Sequence, residues 1–217
     1  MVTPKFRRWS IPLWLFVLTP FYGCGSVDGV DGDDRIGIEI EARDVGDNNE
    51  GGTLAVDAIR HCCREKGEDG AIFAEPFGET TGLVTFRYLG DDGADHSYRI
   101  DHYTVDYIPL TSPDGKGGTF LPPDLQPLDR RIANTIILTR NFTEAQRSIF
   151  LIPINTKYEY VNRVTETDRP VFGFYSLKIT FFGKKNRQDI SIESALDVSL
   201  GSYNHCPDGT LLSTGCS

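Results

Sequence analysis

No apolar run long enough to cross a bilayer as a helix, roughly twenty residues, occurs in this chain beyond its N-terminal segment. That excludes a polytopic helical membrane protein. Basic residues are in deficit: 22 Lys and Arg stand against 31 Asp and Glu, a net charge of −9. Nucleic-acid binders need a basic face, so no nucleic-acid partner is expected. The usual catalytic and phosphate-cradling motifs are missing, with no G-x-S-x-G, H-E-x-x-H, G-x-x-x-x-G-K-[ST] or G-x-G-x-x-G. No C-x-x-C-H occurs, which excludes covalent c-type haem, and no C-x₂-C or H-x₃-H spacing supports zinc. Both tryptophans, Trp9 and Trp14, lie near the N-terminus, where a folded body has no use of them as sugar platforms. The expectation is a non-enzyme without a cofactor.

What is present points to strands. A chain of 217 residues with 22 glycines fits one turn-rich domain. Apolar residues alternate with period 2 in eight stretches: 36–40, 53–59, 83–89, 98–108, 132–138, 148–154, 171–182 and 190–200. These are rich in Val, Ile, Thr, Tyr and Phe, as strands are. Gly90-Asp91-Asp92-Gly93 reads as a hairpin tip and Ser112-Pro113-Asp114-Gly115 as a turn. Residues 115–127, with three prolines, read as a long crossover. Only 156–164 looks able to form a short helix. The predicted fold is all-β, an antiparallel immunoglobulin-like or fibronectin type III-like sandwich of about 7–9 strands with one connector helix. A membrane β-barrel is disfavoured because the strands carry no continuous outward apolar face.

The N-terminus reads as an address. Lys5, Arg7 and Arg8 precede an apolar stretch over 11–21, followed by the small residues Gly23, Cys24, Gly25 and Ser26, the tripartite plan of a secretory signal. Phe21-Tyr22-Gly23-Cys24 resembles the lipobox of bacterial lipoproteins, with Phe21 and Tyr22 standing where Leu and a small residue are usual. The resemblance implies a signal peptide over 1–23, lipidation at Cys24 and acyl chains as the link to a membrane. Gly25 follows the cysteine where Asp would mark inner-membrane retention, which favours the outer membrane, on its periplasmic or cell-surface face. Residues 25–52 hold nine acids against Arg35 and Arg43, so 24–52 reads as an acidic, Gly/Asp-rich tether. Losing 1–23 removes three cations and no acid, taking the net charge from −9 to −12. The body is then 53–206, with a tail over 207–217.

Further along, Val56-Asp57, Glu75-Pro76-Phe77, Tyr103-Thr104-Val105-Asp106-Tyr107, the Pro-rich crossover and Gly201-Ser202-Tyr203-Asn204-His205-Cys206 are similar to a group of Gram-negative lipoproteins with such a sandwich. That group has no activity to carry over. The resemblance supports the sandwich and the address and is silent on chemistry; with no catalytic motif, the expected role is a structural or protein-interaction module with envelope proteins as partners.

With Cys24 acylated, Cys62, Cys63, Cys206 and Cys216 remain, an even number suited to disulfides in an oxidising compartment. Three pairings are open, of which Cys62 with Cys63 is strained. A bridge from one of them to Cys206 closes a loop of about 140 residues, worth roughly 4–5 kcal/mol in the chain-entropy model. The other is left for Cys216. The same residues with His61 and His205 form a weaker zinc or copper reading. Asp28–Asp34 and Asp91–Asp95 raise calcium, yet neither matches an EF-hand loop, and both read as solvated turns. A ligand-binding sandwich for calcium or carbohydrate is the alternative function. His96 and His102 follow Asp95 and Asp101, but neighbours on a regular strand face opposite ways, so no acid–base pair is expected. Tyr103 and Tyr107 read as a core stripe rather than a sugar site.

Overall fold

The computed structural model describes residues 36–43, 54–59, 62–65, 72–74, 77–89, 96–165, 172–203 and 210–213. The elements in chain order are β1 (Ile36–Arg43), β2 (Leu54–Asp57), β3 (Cys62–Glu65), β4 (Ile72–Ala74), β5 (Thr80–Tyr88), β6 (Tyr98–Leu110), β7 (Ser112–Pro113), β8 (Thr119–Phe120), β9 (Leu128–Leu138), β10 (Glu144–Ile152), α1 (Ile154–Thr165), β11 (Gly173–Lys185), β12 (Gln188–Gly201) and β13 (Thr210–Ser213). All eight stretches with period-2 alternation contain a strand, and the one expected helix is α1. The fold is all-β in class.

Two sheets share one core. One is three-stranded, in the order β1-β5-β10; the other, β2-β12-β11-β6-β9, is curled into a half-barrel. Their inner faces meet through alternating apolar residues: Ile36, Ile38, Val84, Phe86 and Leu151 from the first, Ile100, Val105, Leu177, Ile179 and Phe181 from the second. Phe86 and Phe181 touch edge to face across the gap, with centroids 5.0 Å apart. Helix α1 lays Tyr160 and Val164 against the same core, and its Glu159 and Arg163 pair at 2.7 Å on the outer side.

Two expectations need correction. The tether over 24–52 contains β1, which pairs along its whole length with β5 and buries Ile36, Ile38 and Ala42. Its acids Glu39 and Glu41 face outward, so the alternation read over 36–40 marks a core strand inside the acidic stretch. The purely antiparallel arrangement fails at β2, which runs parallel to β12 from Val198↔Leu54 to Gly201↔Asp57. Every other strand pair among the described residues is antiparallel.

The turn over residues 112–115 opens the β7–β8 hairpin. The Asp114 carboxylate accepts hydrogen bonds from the N–H groups of Lys116 (2.8 Å) and Gly118 (2.7 Å). These two donors favour the ionised form and hold its pKa below the usual carboxylate value. The hairpin tip proposed at 90–93 lies outside the described residues.

Candidate functional site

Three constellations carry the chemistry singled out from the sequence. The first is the cysteine strand. Cys62 and Cys63 lie on β3, the middle strand of a small sheet ordered β13-β3-β4. Both are buried, and both sulfurs belong to disulfides rather than free thiols. Neighbouring side chains on a paired strand face opposite ways, so the two sulfurs leave β3 on opposite faces. The backbone of β13 runs beside them, with Ser213 opposite Cys62 and Leu212 opposite Cys63. Cys24, Cys206, Cys216, His61, His205 and both acidic Asp clusters lie outside the described residues. Among the described residues, no group of three or more His, Cys, Asp or Glu is placed to hold a metal ion.

The second is the tyrosine stripe of β6. Strand β10 pairs regularly with β5 until Phe150, then skips Leu151 before Ile152 resumes opposite Thr80. Such a bulge frees backbone groups that need partners once buried. The Tyr103 hydroxyl accepts from the Phe150 N–H at 3.1 Å and donates to the Phe150 carbonyl at 3.2 Å. The Tyr107 hydroxyl donates to the Leu151 carbonyl at 2.7 Å. Tyr103 and Tyr107 are therefore core residues that brace one sheet against the irregular strand of the other. Burial raises the pKa of both. A third buried hydroxyl, on Tyr175, donates to the Pro123 carbonyl at 2.8 Å and pins the Pro-rich crossover. The hydroxyl of Tyr160, which packs edge-on against Tyr175, has no hydrogen-bond partner among the described residues.

The third is a hollow that the sequence conceals. Strand β6 has one extra residue, Asp101, relative to β11, its pairing jumping from Ile100 to His102 while β11 steps from Gly183 to Phe182, and its ladder with β9 breaks at the same residue. On the β9 side four residues, 132–135, leave the ladder at the same place, and Asn134 takes a left-handed backbone (φ 63°). The result is an open cavity of about 580 Å³ lined by Arg99, Asp101, His102, Arg131, Asn134 and Thr135, among others. The regular-strand premise thus fails at this point, since Asp101 and His102 line the same hollow. They still take different partners. Asp101 meets Arg99 at 3.5 Å, whereas His102 meets Asp129 at 3.1 Å and rests on the Phe182 ring. His96, the other histidine considered, bonds Asn186 at 3.0 Å; its sequence neighbour Asp95 lies outside the described residues. Bulges leave no mark in apolar alternation, so the strand pattern does not signal this hollow. Its guanidinium and imidazole lining suits an anionic or hydroxyl-rich group better than a cation.

Among the described residues, no helix is long and apolar enough to cross a membrane. In comparisons with known proteins, no family model, curated protein or solved structure matches the chain.

Proposed function

We propose that this chain is a lipid-anchored lipoprotein of the bacterial cell envelope, held at the outer membrane through acyl chains on Cys24, whose body is a non-enzymatic structural or protein-interaction module. The observation that carries the exported address is the cysteine strand: two adjacent buried cysteines, both in disulfides, belong to an oxidising compartment. The N-terminal pattern of cations, apolar run and Phe21-Tyr22-Gly23-Cys24 supplies the route. The body is read as an immunoglobulin-like or fibronectin type III-like sandwich, supported by two sheets stacked across one core.

Under this reading the partners of Cys62 and Cys63 are Cys206 and Cys216. Two registers support that choice. Gly201 at the end of β12 lies opposite Asp57, with Cys62 and Cys206 each five residues further along. Ser213 lies opposite Cys62, with Cys216 three residues beyond. The deciding experiment is fractionation of a Cys24→Ser variant. It is expected to leave the membrane pellet for the soluble periplasmic fraction, and a variant that still pellets after high salt and carbonate contradicts the anchor.

A second reading, ligand binding by the same body, is favoured at one place: the hollow beside the Asp101 bulge. Its lining argues for carbohydrate over calcium.

A further inference from the structure

Strand β12 is fourteen residues long, yet β2 covers only Val198–Gly201 of its outer edge. Among the described residues, no strand lies against the remaining stretch, 188–197. Its register with β11 runs without a break from Gly173↔Leu200 to Lys185↔Gln188, so this edge, open among the described residues, is regular. Protein edges are usually blunted by charged side chains, lysine above all, by proline, a bulge or sheer shortness; here the only charges are Asp189, Glu193 and Asp197. Residues 188–197 carry no Lys, Pro or bulge.

The side chains along this edge sort cleanly. Asp189, Ser191, Glu193, Ala195 and Asp197 are turned outward; Ile192 and Ser194 are buried, and Ile190 and Leu196 are half-covered against the core. Two of the charges are satisfied within the sheet: Asp189 by Lys184 at 2.9 Å and Glu193 by Lys178 at 2.8 Å. Arg187 and Asp197 have no ion-pair partner among the described residues. They stand at opposite ends of the open edge and have opposite signs. Arg187 also occupies a hairpin position with φ 86°, where glycine is the easier residue. A charged side chain there carries a backbone cost that a specific contact would offset.

We propose that this edge joins two copies of the chain, β12 adding to β12 antiparallel about a two-fold axis at Ile192. That register sets Ile192 against Ile192 and Arg187 of each copy against Asp197 of the other. Asp189 then faces Ala195 and Glu193 faces Ser191, so no acid meets an acid. Moving the axis one residue to Glu193 sets Glu193 against itself and Asp189 against Asp197, which like-charge repulsion disfavours. The pairing is isologous, as two-fold interfaces are. It also covers the half-exposed Ile190 and Leu196 on the inner face. It stands apart from the lipid anchor and is unaffected if that reading fails.

Sedimentation equilibrium of the full chain in density-matched detergent tests it, with circular dichroism as the check on folding. The native chain is expected to be a dimer. Asp197→Arg and Arg187→Asp, each placing two like-charged pairs across the edge, are each expected to raise the dissociation constant about tenfold or more. The double variant restores opposite charges and is expected to restore the dimer. A native chain that stays monomeric, a dimer indifferent to both single reversals, or a folded double variant that stays dissociated would overturn the proposal.

Discussion

At the scale of single residues, the buried Tyr107 and Tyr160 differ in whether the hydroxyl has a partner among the described residues. Tyr107 donates to a backbone carbonyl left over at the β10 bulge, so Tyr107→Phe strands a buried acceptor. The expected loss is about 1–3 kcal/mol of unfolding free energy by denaturant titration. Tyr160→Phe removes a buried hydroxyl that has no partner among the described residues, and is expected to be neutral or stabilising. A loss at Tyr160 as large as that at Tyr107 contradicts this assignment.

Burial raises the pKa of Tyr107, Tyr160 and Tyr175 above the ordinary value of 10.0. Such groups favour the folded state in full below the unfolded pKa, and that contribution is lost as pH rises past it, because the unfolded chain ionises first. Stability is therefore expected to fall steeply above pH 10.0, with tyrosinate absorbance from these residues rising together with unfolding. Absorbance that rises in full while the fold stays intact contradicts it.

At the scale of elements, the bulges supply what regular ladders cannot, and they are the least legible part of the sequence. Apolar alternation marks the long strands because each buries one face. A residue such as Asp101, inserted into β6, looks like any exposed polar residue until its partners on β9 and β11 are known. One sign is in plain view: Gly183, in an otherwise dense strand. An added Cβ there would collide with the Arg99 carbonyl oxygen, so the bulge brings two backbones too close for any side chain. Gly183→Ala is expected to destabilise by at least about 1–3 kcal/mol and to perturb His102 resonances in the adjacent hollow. A variant as stable as the native chain contradicts that role. Strands β3, β4 and β13 escape detection for another reason. They are three or four residues long, and the pairing of β3 with β13 joins segments far apart in sequence, which no local pattern records.

At the scale of the whole molecule, the small sheet is where the early and late parts of the chain meet. Strand β3 lies early in the chain and β13 near its end, and they are hydrogen-bonded neighbours, as are β2 and β12. Under the proposed pairing of Cys62 and Cys63 with Cys206 and Cys216, a bridge between such distant segments would remove much of the unfolded chain's freedom, worth roughly 4–5 kcal/mol for a loop of about 140 residues. The cysteine placement is visible in the sequence as two clusters at either end of the body. What is not visible is the strand that carries Cys62 and Cys63, because the run Cys62–Glu65 buries its first two residues rather than alternating.

The proposed function joins the proposed disulfides to export and acylation, and one measurement reads all three: the intact mass of the chain isolated from membranes, taken before and after reduction. The expected result is a mass lacking residues 1–23 and carrying acyl chains on Cys24, with a gain of four hydrogens on reduction as Cys62, Cys63, Cys206 and Cys216 are released. A chain that keeps residues 1–23, carries no acyl mass, or gains nothing on reduction contradicts it.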